Sequence, residues 1–381
     1  MQTNNTRSLN HNQLTTIIMF FLIGGSALSS TSRYSGQNAG IILLFAALFG
    51  GIIFTLYHRI SKIHQHQGLP DILKSTFGKT FGTILLFSYA CFFLFRTISV
   101  GNYMSAMAQE TLMSGVNHRV VITMLLVTVI VSALYGLKVI GRTSEIFMFI
   151  IIAFLIPFLI TPFTSDSFQT AHLMPILADG PLGIAPDIAR STMFPYAELV
   201  VFLMLFPYVT PVDDKKILKR SYIAIIVSTV LMIAIDIITV GLIGATLTSN
   251  FEYSFSNAMQ LAGLSGFLER LDPLAIVIMV ASEYFKLAIY FFITILCFQA
   301  LHQKFNFKIV LSVLVVVIFF LAPIMHPPET NFLMNTLPFR ILPPFQLIMP
   351  LIIWIVSEIR FRNKAPKQQL PLQERINPGP T

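Results

Sequence analysis

Ten stretches of this chain are apolar for long enough to cross about 30 Å of hydrocarbon. They fall at roughly 14–32, 37–58, 80–110, 119–137, 143–162, 190–209, 217–247, 272–302, 308–325 and 338–361. In lipid, every backbone N–H and C=O must find its partner within the protein, which leaves helices as the form for spans of this length. Only 11% of the 381 residues are charged and the mean hydropathy is +0.76, whereas a soluble domain is about a quarter charged. The chain therefore reads as an all-α integral membrane protein. Its net charge of +8 is explained by basic residues at a cytoplasmic face, not by nucleic acid.

Lysine and arginine set the orientation. With the N-terminus in the cytoplasm, eighteen basic residues fall in inside segments and five outside, at Arg33, Arg119, Arg190, Arg270 and Arg340. Ten spans with both termini cytoplasmic thus satisfy the positive-inside rule. The first span, "LTTIIMFFLIGGSALSS", resembles a secretory signal, but only Arg7 precedes it and nine further spans follow, so it reads as a retained helix. Residues 1–362 form one transmembrane domain, and 363–381, rich in Pro and Gln, read as a disordered cytoplasmic tail. Cys91 and Cys297 lie in separate apolar runs and suggest neither a disulfide framework nor a metal cluster.

Two spans carry interruptions. Gly24-Gly25 falls within span 1, and Pro195-Tyr196-Ala197 falls within span 6, five helices later. Spans 3 and 8 are both unusually long. Five helices followed by five of inverted topology, with broken helices 1 and 6, is the leucine-transporter-like plan of many secondary transporters. On that plan the first repeat covers about 14–162 and the second about 190–362. Proline removes a backbone donor and disfavours helix at the residue before it. Broken backbone at membrane depth belongs beside a protein or water cavity, which gives a role to Glu198 just past the break. The alternative for that segment is a packed proline kink.

Other intramembrane charges are expensive and point to function by default. Glu283 and Lys286 are three apart on span 8 and share a face. They form either a structural ion pair, or a site in which the Lys286 ammonium faces the span 1 break as a built-in cation. Arg96 and Asp236 either pair or face a vestibule, and for both a structural role is favoured. "HRISKIHQHQ", with His58, His64 and His66, reads as a solvated inside loop and not as a metal site. No phosphate-cradling loop or nucleophile elbow occurs, so neither an enzyme nor a bound cofactor is expected.

"FPYAELVVFLMLFPYV" (194–209), "ERLDPLAIVIMVASEYFKLAIYFF" leading through span 8, and the short lead into a glycine-interrupted span 1 together resemble the endospore germination permeases. These are the B subunits of nutrient germinant receptors, within the amino acid–polyamine–cation transporter superfamily. The resemblance covers residues 10–362. It implies a germinant-sensing protein of the spore inner membrane that acts beside an A subunit and a lipoprotein C subunit. An amino acid or similar small nutrient is the implied ligand. Two departures stand out: Ala197 replaces the glycine common before the span 6 glutamate, and "SVGNYMSAMAQE" in span 3 lacks the acid some members place there.

The expected site lies at the midplane between spans 1, 3, 6 and 8. Gly24 and Gly25, with Ser26 beside them, would offer free amides to a carboxylate. Phe194, Tyr196 and Glu198 would line the span 6 break, with Asn102 and Tyr103 from span 3 and Lys286 and Tyr290 from span 8. The competing function is a proton- or sodium-coupled amino acid permease.

Overall fold

The structure is a computed structural model that describes residues 8–28, 31–111, 115–164, 167–178, 180–261, 272–302, 305–325, 337 and 339–361. The expected tail at 363–381 lies outside them. Among the described residues, helical segments fall within the expected spans. They are α1 (His11–Leu28), α2 (Ser32–Ser35), α3 (Ala39–Ile63), α4 (Leu69–Phe77), α5 (Lys79–Thr111), α6 (His118–Tyr135), α7 (Leu137–Ile160), α8 (Ala185–Met193), α9 (Phe202–Leu205), α10 (Asp214–Asn250), α11 (Ser254–Leu261), α12 (Asp272–Leu301), α13 (Phe307–Leu321) and α14 (Met349–Phe361). Among the described residues, six segments are long and apolar enough to cross a membrane: Ser32–Ile63, Lys79–Glu110, His118–Tyr135, Ala185–Tyr208, Asp214–Asn250 and Met279–Leu301.

Burial separates central helices from peripheral ones. On α6, Val120, Met124, Val127, Val131 and Leu134 are exposed, a spacing of three and four that makes one continuous apolar stripe suited to lipid. On α1, by contrast, Ile17 to Ile23 are buried on every side. That helix packs against α10, α12 and α7, while α5 packs along α12 and α3 along α10. Asn10 and Gln13 cap α1 reciprocally: Gln13 N donates to Asn10 Oδ1 at 2.7 Å and Asn10 N to Gln13 Oε1 at 3.0 Å. Two backbone donors otherwise left open at a helix start are thereby satisfied.

Span 6 is broken as expected, but span 1 is not broken at Gly24-Gly25. Helix α1 continues through both glycines to Leu28. Glycine permits a break without forcing one, at about 1 kcal/mol per residue relative to alanine, and packing on all sides holds the helix together. Gly24 serves close approach instead: a Cβ there would lie 3.3 Å from the Ser282 backbone and 3.3 Å from Glu283 Oε1 on α12.

The histidine-rich segment after α3 is also not a solvated loop. His58 and His64 are buried, because the segment folds back between helix ends. His58 and His66 each approach Asp214 Oδ1, at 3.3 and 3.0 Å, with Lys62 Nζ 3.2 Å from Oδ2. His64 Nε2 lies 2.8 Å from Ser357 Oγ on α14, and its Nδ1 lies 3.3 Å from Ser75 Oγ on α4. Burial pushes His64 down to about 4. Burial also lowers His66, against the opposing pull of Asp214.

Two outcomes follow from this packing. Gly82 faces α4 so closely that a Cβ would meet Leu73 O at 2.6 Å and Lys74 Cα at 2.7 Å. Backbone cannot rotate away, so Gly82→Ala should destabilise by about 1–3 kcal/mol, seen as a lower thermal midpoint of the purified protein. His64 is neutral when folded, whereas an unfolded histidine takes up a proton near pH 6.5. Its contribution to stability is complete above that pH and is lost as pH falls from about 6.5 towards 4. Thermal melts at pH 7 and pH 5 should therefore differ, by up to about 2 kcal/mol, and His64→Gln should flatten that dependence.

Candidate functional site

The site begins with the span 6 break. Helix α8 ends at Phe194, which is extended (φ −136°, ψ 111°), the conformation favoured before proline. The chain resumes as a tight 3-10 turn over Tyr196–Val201 before α9. Every residue from Tyr196 to Phe206 is buried, so this irregular backbone is enclosed by protein, the condition for tolerating it at membrane depth. The turn directs the Glu198 carboxylate away from its own helix, towards α5 and α12.

Three side chains from those helices converge on it. Arg96 of α5 donates through Nη2 to Glu198 Oε1, and Lys286 Nζ of α12 is in ion-pair contact with Oε2. Tyr290, one helical turn beyond Lys286, donates its hydroxyl to Oε1 at 3.1 Å. Side-chain exposure is 3% for Arg96, 1% for Lys286 and 0% for Glu198. Aromatic faces cover the cations. Lys286 Nζ lies 4.5 Å from the Phe194 ring centre and 5.4 Å from that of Phe21 on α1. The Arg96 guanidinium lies 5.7 Å from Phe194 and 5.6 Å from Tyr290.

Two cations thus share one carboxylate. Desolvating each charge is expensive, and only a well-made pair offsets it; removing one partner from a buried pair costs about 3–5 kcal/mol. The pairing is not saturated. The contact between Lys286 Nζ and Glu198 Oε2 lacks the geometry of a directed hydrogen bond, and Arg96 Nε is buried without an acceptor. Glu283, three residues before Lys286 and buried, lies against Gly24 as described above.

Of the expected residues, Phe194, Glu198, Lys286 and Tyr290 come together here. Tyr196 points to the other side of the break, where its hydroxyl meets Thr229 Oγ1 on α10 at 2.7 Å. Gly24 lies on the α12 interface and Gly25 inside α1, while the Ser26 side chain falls outside the described residues. Asn102 ties α5 to the end of α13, donating to Ala322 O at 3.0 Å and Met325 O at 2.6 Å. Tyr103 packs with Tyr253, ring centres 5.8 Å apart. The Lys286 ammonium meets Glu198, in place of carbonyls at a span 1 break. Arg96 joins the site, while Asp236 accepts from Ser32 N at 3.1 Å and Ser32 Oγ at 2.9 Å. The signal for Arg96 was present as the one basic residue inside span 3; its partner was not legible.

A small apolar pocket between α5, α6, α12 and α13 is lined by Thr97, Gly101, Ile122, Leu126, Leu287 and Phe291 among others, with no charged residue. It is separate from the charged cluster.

Comparison with known proteins agrees with this architecture. The chain is 24% identical over 354 residues to spore germination protein KB of Bacillus subtilis (strain 168), an alignment covering 91% of this chain and 93% of that protein. Among solved structures it is similar to Mhp1, a nucleobase-cation-symport-1 family transporter in a closed conformation with bromovinylhydantoin bound. That match has a TM-score of 0.55 at 13% identity and covers 99% of this chain and 83% of the other; it speaks to fold alone. A sequence profile described as spore germination protein matches residues 8–331, and the chain belongs to that family of multi-pass membrane permeases.

Proposed function

We propose that this chain is the germinant-sensing membrane subunit of a spore nutrient receptor. It binds an amino acid or similar small nutrient between spans 1, 3, 6 and 8, in the spore inner membrane with both termini cytoplasmic. It then signals to partner subunits, an A subunit and a lipoprotein C subunit. The observation that carries this reading is the buried Arg96–Glu198–Lys286 cluster at the span 6 break. Three helices contribute charges that would be costly anywhere in a membrane, and they meet where the backbone is irregular. Phe194, Tyr290 and Phe21 enclose the cluster, while Gly24 brings α1 and α12 together beside it. A ligand that binds one arrangement of these helices better than another shifts the population towards it, and a broken helix is a natural element to move.

The transporter fold favours one second reading, a proton- or sodium-coupled amino acid permease. Radiolabelled alanine uptake into proteoliposomes separates the two. Sensing predicts binding without concentrative uptake, whereas sustained uptake supports the permease.

Lys286→Met keeps length and loses charge. It should raise the germinant concentration for half-maximal response by at least about tenfold, the equivalent of about 1.4 kcal/mol. Because Arg96 still pairs Glu198 in this variant, no buried charge is left alone and protein abundance on immunoblots of spore membranes should change little. A wild-type dose–response curve in this variant would remove Lys286 from the site. Because a covalent ammonium already lies between α1, span 6 and α12, replacing external sodium with choline should leave the wild-type response unchanged.

A further inference from the structure

Helix α10 carries its exposed and its buried residues on opposite arcs. Successive residues advance about 100° and about 1.5 Å. Lys215, Lys216, Lys219 and Arg220 therefore fall within about 140° of one another, and all four are exposed. Ile223, Ile226, Val227 and Val230 continue the same arc over the following turns and are exposed too. Ile217, Ser221, Ala224 and Ser228, on the opposite arc, are buried. One face of one helix thus changes from basic to apolar between Arg220 and Ile223. The lengths match a bilayer. From Lys215 to Arg220 the helix rises about 7.5 Å, against about 5–8 Å for one polar headgroup layer. About 30 Å of hydrocarbon counted from Ile223 ends roughly twenty residues on, at Ile243. The next residue, Gly244, is where the helix departs from helical geometry, with φ 75°.

We propose that this basic arc is a docking face for the phosphate groups of anionic phospholipids. Among the described residues, the side chains of Lys215, Lys219 and Arg220 make no hydrogen bond or ion pair. Two acids stand nearby, and both are engaged. Asp213 Oδ2 faces Lys216 Nζ at 3.6 Å, and Asp214 is turned towards Lys62, His58 and His66. Asp213 also accepts from Lys216 N at 3.1 Å. The helix start is therefore capped already, and the side chains are what a phosphate meets. Each Lys or Arg beside an anionic membrane surface favours binding by about fivefold, so three free cations give a marked preference for charged lipid. An acidic protein segment would satisfy the same charges. The apolar continuation from Ile223 to Val230 favours a molecule that joins an anionic headgroup to acyl chains. The contact also bears on the span 6 break. Thr229 of α10 meets the Tyr196 hydroxyl at 2.7 Å, so a lipid fixed on α10 steadies one wall of the break. The docking face requires only that α10 spans the membrane and is independent of the sensing role.

The test titrates the purified full-length chain in dodecyl maltoside micelles with dioleoyl phosphatidylglycerol or dioleoyl phosphatidylcholine and follows the thermal midpoint. Phosphatidylglycerol should raise the midpoint saturably, and phosphatidylcholine should need at least about tenfold more lipid for the same rise. In Lys215→Gln/Lys219→Gln/Arg220→Gln that preference should fall below about threefold. Lys215→Arg/Lys219→Arg keeps the charge and should keep the preference. Arg142→Gln/Lys308→Gln removes two exposed cations from α7 and α13 and should keep it as well. Where the triple variant fails to accumulate, Lys219→Gln/Arg220→Gln takes the same measurements and should lose at least half of the preference. Equal responses of the wild-type chain to the two lipids overturn the docking face and leave the arc to an acidic protein segment. An undiminished preference in the glutamine variants of α10, or an equal loss in Arg142→Gln/Lys308→Gln, overturns its assignment to this helix. A midpoint rise of the same size with sodium phosphate alone overturns lipid as the source of the phosphate.

Discussion

The burial of Glu198 between Arg96 and Lys286 is the constraint around which the rest of the molecule is arranged. A carboxylate, a guanidinium and an ammonium removed from water are tolerable only when each finds an opposite charge at contact distance. That requires α5, α12 and the span 6 turn to meet at one point. Tyr290 adds a hydroxyl on the same oxygen as Arg96, and aromatic faces occupy the remaining directions. Few other arrangements of these helices would keep all three charges paired.

Packing explains why the break occurs in span 6 and not in span 1. Proline at 195 imposes its geometry locally, through the missing donor and the restricted preceding residue. Gly24-Gly25 imposes nothing, and all-round burial keeps α1 helical. The two spans are nevertheless joined at their ends. Leu9 pairs with the segment after span 6 through two backbone hydrogen bonds, so the unbroken helix and the broken one share a fastening. At the neighbouring helix ends, Asp214 gathers His58, His66 and Lys62, tying the end of α3 and the segment after it to the start of α10.

Much of the site was legible because intramembrane charge is rare. Glu198 was marked by its apolar run and flanking prolines, Lys286 by its place within span 8, and Phe194 and Tyr290 by neighbouring those two. Arg96 was equally conspicuous but its partner was not, since Glu198 lies 102 residues away and Asp236 was an equal candidate by charge alone. Asn102 and Tyr103 looked like site residues because they are polar or aromatic within span 3. At 3.6 residues per turn, Asn102, six positions past Arg96, points to another side of the helix, whereas Tyr103, seven positions past, keeps nearly the same face but stands about 10 Å further along the axis, where it meets Tyr253 instead of the cluster. The histidine-rich segment shows the opposite failure: a polar, basic stretch reads as solvated, yet helix ends fold over it and serve both nitrogens of His64.

By itself, the sequence determined the solvent, the helical class, the broken span 6 and the family. These depend on hydropathy summed over twenty residues, on the geometry of proline and on motif order, all of which are local in the chain. Tertiary structure alone decided which charges meet, that α1 runs straight through its glycines, and that His58 and His64 are buried. Those outcomes depend on how helices distant in sequence rotate about their axes and approach one another. A rotation of one residue, about 100° at 3.6 residues per turn, would turn Lys286 or Arg96 away from Glu198 and leave its charge without that partner, and no local pattern records that angle.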